Sequence, residues 1–123
     1  MPRHDVRVYL HDILDASDAV AAFTEGRTMK QYRTDLMLRS AVERQFEIVG
    51  EALSQACALE PGLVDEVADA RAIIGLRNHV IHGYADVDDD IVWGAIPRLV
   101  PLGRDVEAAP GGEGRAAGTA LDS

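Results

Sequence analysis

The stretch Ala41-Val42-Glu43-Arg44-Gln45-Phe46-Glu47-Ile48-Val49-Gly50-Glu51-Ala52-Leu53 decides the fold. With Leu38 upstream and Ala56 downstream, its apolar residues Leu38, Val42, Phe46, Val49, Leu53 and Ala56 recur at spacings of four and three, the stripe of an amphipathic helix. No other part of the chain is as regular, and a helix is expected from Thr28 or Asp35 to Leu59. Glu43, Glu47 and Glu51 form a ladder of carboxylates one turn apart, mildly self-repulsive. Two readings follow: a solvated face, or a face on which one glutamate neutralises a buried cation, with Arg77 the candidate. Gly50 in mid-helix costs propensity and implies close packing against another helix.

The flanking segments repeat the helical pattern. Before it, Val6, Leu10, Ile13, Val20 and Phe23, with Tyr9 and Ala16, define a helix from about Asp5 to Phe23, with Asp5 as its cap; Gly26 and Thr28 break the chain. After Pro61-Gly62, a helix is expected from Leu63 to His82, carried by Leu63, Val67, Ala70 and Ile74 and broadened by Ile73, Leu76 and Val80. The run Asp86-Val87-Asp88-Asp89-Asp90 lacks the mid-loop glycine and terminal glutamate of a calcium loop. It reads as the N-cap and first turn of a last helix, Asp88 to Leu102, where the helix dipole favours negative charge. Ile91, Val92, Ala95, Ile96, Leu99 and Leu102 are its inward set. Pro97 should kink or split it, and Trp93 is a core or interface anchor. Residues 1–104 are thus expected to form one all-α domain. Residues 105–123, rich in glycine and alanine and without periodicity, are expected to be a disordered tail.

Composition narrows the function. A net charge of −9 over 123 residues argues against a surface that coats nucleic acid, though not against a local basic site in a cleft. Of the 12 lysines and arginines, only Lys30 is a lysine. Cys57 is alone, which leaves no internal disulfide and no cysteine-based metal site. No apolar run approaches the roughly 18 residues a membrane span needs, and no signal peptide is visible. A cytoplasmic protein is expected.

The chemistry-bearing residues converge on Arg77-Asn78-His79-Val80-Ile81-His82-Gly83-Tyr84. Asn78 and His82 stand one turn apart on one face, so the amide can fix the imidazole's tautomer. Arg77, on a neighbouring face, interrupts the stripe Ala70, Ile74, Ile81; a buried arginine needs a carboxylate, a subunit boundary or an anion. Arg71, Gly75, Asn78 and His82 form a second stripe, and Gly75 there implies that something comes close. Gly83 reads as a left-handed helix stop. His79 and His82 could be taken for a metal pair, but no third ligand joins them at metal spacing. His4 and His11 read as surface residues and Cys57 as core.

These residues resemble the HEPN domains. Arg77 to His82 match their Arg-x4-His signature, which Tyr84 extends. The stretch from Ala41 to Ala52 looks like the second helix of the HepT-like branch, and Asp88 to Trp93 like its last helix, so the resemblance covers about residues 5 to 104. It implies a four- to five-helix up-and-down bundle of HEPN type, and a homodimeric, metal-independent endoribonuclease without cofactor that acts as the toxin of a toxin–antitoxin pair. Arg77 and His82 would be catalytic and Asn78 would orient His82. A nucleotidyltransferase antitoxin, MntA in that family, would transfer AMP onto Tyr84. The alternative is a non-catalytic HEPN module that binds nucleotide, RNA or a nucleotidyltransferase. The chemistry is self-consistent. RNA cleavage without metal needs a base, an acid and a cation; histidine and arginine supply them, and two facing copies of the motif would supply both proton-transfer groups.

Overall fold

Asp5, Thr28, Asp35 and Asp88 each cap a helix with a side-chain oxygen, and these caps set the starts of much of the architecture. The structure, a computed structural model, describes residues 5–83 and 87–110. Helices α1 (Val6–Thr24), α2 (Met29–Thr34), α3 (Leu36–Leu59), α4 (Leu63–Glu66), α5 (Ala70–Gly83), α6 (Asp89–Ala95) and α7 (Leu99–Ala108) follow in order, with a 3₁₀ turn at Ile96–Arg98. The fold is an all-α bundle of HEPN type. Helix α3 is its centre: α1 packs along one side, α5 along another, and α7 closes on α1. Leu38, Val42, Phe46, Val49, Leu53 and Ala56, the whole stripe read from the sequence, are buried. Among the described residues no helix is long and apolar enough to cross a membrane.

The second segment takes the later of its two expected starts, and the third, expected to be continuous, is broken. The second segment divides at Asp35, which is both the C-cap of α2 and the N-cap of α3. Thr28 and Gln31 form a reciprocal capping box on α2. That short helix buries Tyr32, whose ring lies 5.3 Å from that of Trp93 at 40°. The third segment divides after Glu66. Val67 is extended, Asp69 takes a left-handed φ of 60°, a conformation aspartate tolerates better than most residues, and α5 begins at Ala70. The Asp105 carboxylate of α7 accepts a 2.8 Å hydrogen bond from the Ala68 amide and so replaces one helical partner. Leu63, Val67 and Ala70 stay buried through the break.

Pro97 ends α6 in the 3₁₀ turn, as its missing donor requires. The last helix runs on past Leu102 and past the boundary expected at Arg104: α7 extends to Ala108, with Val106 and Ala109 buried. Val106 lies four residues beyond Leu102 and continues its stripe. Beyond Pro110 the expected tail falls outside the described residues. Ile91, expected inward, is 51% exposed, and Phe23 is exposed at the end of α1.

Candidate active site

Arg77 sits where α5 crosses α3, above Gly50. A methyl group at position 50 would lie 2.2 Å from Arg77 Cβ and 2.8 Å from its Cγ. The mid-helix glycine therefore lets an arginine stem lie flat on α3. One residue further along α3, Glu51 Oε2 is 2.7 Å from Arg77 Nη2. The glutamate ladder contains the partner of this half-buried cation: Glu51, not Glu43 or Glu47. Arg77 Nη1 donates to Asn78 Oδ1 at 3.1 Å. The Arg77 Nε–H is shielded from solvent and has no partner. A guanidinium has five N–H donors, so both terminal nitrogens keep a donor for an added anion.

His82 lies exposed at the end of α5, in its last turn. On an ideal helix five residues turn the side chain by about 140°, so Arg77 faces α3 while His82 faces outward. The expected Asn78–His82 contact is not made: the Asn78 oxygen is taken by the neighbouring guanidinium, and no hydrogen bond joins it to His82 among the described residues. The helix does not end at a left-handed glycine either. Gly83 is its last residue, without positive φ. The absence of a side chain matters there because a Cβ would stand 3.0 Å from Val87 Cγ2. Gly75 has open space around it rather than a close neighbour. Tyr84 lies outside the described residues.

His79, for which the sequence offered no role, is a structural residue. Its Nε2 accepts the Asp88 amide proton at 3.1 Å, which requires an unprotonated Nε2. The N-terminus of α6 is thereby tied to α5. Asp88 in turn accepts from the amides of Asp90 and Ile91, Asp89 approaches Arg39 at 3.9 Å, and Asp90 pairs with Arg33. Asp88, Asp89 and Asp90 thus form a helix start consumed by internal partners. Among the described residues no group of three His, Cys, Asp or Glu side chains could hold a metal ion. His11 is half-buried, with its Nε2 shielded and unpartnered, rather than a surface residue. His4 lies outside the described residues. Cys57 is half-buried, and burial pushes its thiol up from the ordinary value. On α3, the Glu43 carboxyl is raised from its ordinary value, first by burial and then by the Asp89 charge.

The polar stripe Arg71, Gly75, Asn78 and His82 is exposed along its whole length, and Ile81 beside it is 41% exposed. A groove of about 190 Å³ touches Glu51 from the other side, between α1 and α3.

The chain matches the model of the family described as "Ribonuclease HepT-like" over residues 13–107. "Putative RNase MJ1380" of Methanocaldococcus jannaschii is 30% identical over 110 residues, 87% of this chain and 98% of that protein. "Putative RNase MJ0127" of the same organism is 29% identical over 103 residues, 82% of this chain and 83% of that one. "Probable ribonuclease HepT" of Thermococcus cleftensis is 29% identical over 93 residues, 76% of this chain and 84% of that protein. No solved structure matches.

Proposed function

Because this chain belongs to the HepT-like ribonuclease family, we propose that it is a metal-independent endoribonuclease, the toxin of a toxin–antitoxin pair, with Arg77 and His82 as its catalytic residues. The observation that carries the reading is the guanidinium of Arg77, held on Glu51 and above Gly50 with terminal donors to spare. His82 is the exposed imidazole one and a half turns beyond it. Arginine offers planar, bidentate donors to phosphoryl oxygens, and histidine transfers protons near neutral pH.

The two side chains leave one α5 on different sides, so a scissile phosphate is best served by a second copy. In a homodimer with two α5 helices facing one cleft, each copy supplies an imidazole: one takes the 2′-OH proton, the other protonates the leaving 5′ oxygen. The guanidinium neutralises the phosphorane between them. The attack forms a cyclic 2′,3′-phosphate, and the P–O5′ bond breaks. The exposed isoleucines Ile81 and Ile91 give such a contact an apolar component. Asn78 supports the site through Arg77. AMP transfer to Tyr84 by a nucleotidyltransferase antitoxin would add bulk and negative charge two residues from His82 and repel substrate phosphate.

Expression of the wild-type protein should slow growth, and the Arg77→Ala protein should not; equal growth would contradict the toxin reading. On co-expression with a cognate nucleotidyltransferase, intact mass should rise by whole AMP units, and Tyr84→Phe should abolish the rise.

A further inference from the structure

Most arginines of the described chain are neutralised. Arg7, Arg27, Arg33, Arg39, Arg44 and Arg77 each have a carboxylate within 4 Å. In a chain of net charge −9 this leaves few cations to attract a polyanion. Arg71 is an exception: it is exposed, without an ion pair among the described residues, and on the same helix as His82.

Its position on that helix is specific. Arg71 and His82 lie eleven positions apart on α5, a rotation of only about 20° and a rise of about 16 Å. Both side chains therefore leave the helix on one face. Gly75 lies between them with nothing within 4 Å of where a Cβ would stand, and exposed Asn78 follows. The face is a shallow track with a bare floor, an amide donor and a cation at its far end.

We propose that Arg71 is a phosphate-binding subsite for single-stranded RNA, with the strand lying along α5 over Gly75 and Asn78 toward His82. The proposal rests on the ribonuclease reading above and adds a binding position to it. A stacked strand advances about 3.4 Å per nucleotide, so Arg71 meets a phosphate roughly five nucleotides from the bond at His82, or fewer in an extended strand. A dinucleotide cannot span the distance.

The test uses strands that carry 2′-O-methyl groups and so cannot be cleaved: one of two nucleotides and one of roughly a dozen, long enough to pass Arg71 at that rise. Binding is followed by fluorescence anisotropy at several salt concentrations. Arg71→Ala should weaken the long strand about fivefold to tenfold and reduce its log–log salt slope by about 0.7, one single-strand phosphate contact. The dinucleotide should bind as to wild type, and Arg71→Lys should keep most of the affinity. Arg104→Ala serves as the control, because that exposed residue on α7 also has no ion pair among the described residues. The subsite is overturned if Arg71→Ala binds the long strand like wild type, weakens both strands equally, or matches the Arg104→Ala control. It is also overturned if Arg71→Ala changes the sedimentation coefficient, which would assign the face to a subunit contact. Failure of the wild type to bind either strand would instead sink the ribonuclease reading.

Discussion

Gly50 of α3 and Arg77 of α5 occupy the same space: a methyl on one would stand 2.2 Å from the Cβ of the other. Both contacting atoms belong to the stem of the arginine, next to the backbone, so they cannot swing away as the end of a flexible side chain could. Alanine in mid-helix normally gains up to about 1 kcal/mol over glycine. Here overpacking, typically about 1–3 kcal/mol, opposes that gain. Gly50→Ala is expected to lower the thermal midpoint, and its RNA cleavage should fall further than its stability, because α5 and Arg77 must shift together. A variant more stable than wild type in a thermal melt would show that the two helices do not meet this closely.

The hydrogen bond from the Asp88 amide to His79 Nε2 makes His79 a positioning residue for the start of α6. Glutamine can present an oxygen near the place of Nε2, whereas leucine cannot. His79→Gln should keep most of the wild-type stability and cleavage. His79→Leu should lose about 1 kcal/mol, the typical value of one such bond, and its Asp88 amide should exchange faster with deuterium. A His79→Gln protein as inactive as a catalytic knockout would instead make His79 a proton-transfer group.

Glu43 carries a sign that can be measured. Burial, then the Asp89 charge, raise its folded-state pKa above the ordinary value near 4.5, with Glu47 adding to the rise and Arg39 opposing it. The folded chain thus holds the proton more tightly than the unfolded one, and stability falls as pH rises through that interval. Glu43→Gln should therefore raise the melting temperature at neutral pH. The gain should vanish below about pH 4.5, where glutamate is protonated in both states. A gain that persists unchanged in acid would assign the effect to something other than the charge.

Much of this was legible in the sequence because it was written in exceptions to a period. The stripe from Leu38 to Ala56 is buried as read. Arg77 broke an apolar stripe and Gly50 a helical one, and the two exceptions meet. Asp88 and Pro97 act as cap and break because each has a local mechanism. The break between α4 and α5 was hidden. Leu63, Val67 and Ala70 keep helical spacing across it, and what replaces the lost helical bond is Asp105, 37 residues away from Ala68. Ile81 and Ile91 fit the periodic pattern yet are exposed, since spacing alone does not say whether an apolar helix residue faces the core or the surface. The expected Asn78–His82 pair failed for a simpler reason: the nearer guanidinium took the amide oxygen.

In the proposed function, His82 and Arg77 cleave RNA without a metal ion. Cleavage of single-stranded RNA by purified protein in excess EDTA tests it most directly, with wild type, His82→Ala and Arg77→Ala compared at matched folding by circular dichroism. General acid–base catalysis by one side chain contributes about 10²–10⁴-fold, so the wild type should produce cyclic-phosphate ends and each variant should lose about a hundredfold or more. A His82→Ala protein that cleaves as fast as wild type, or a wild type that is silent until a divalent ion is added, would contradict the account.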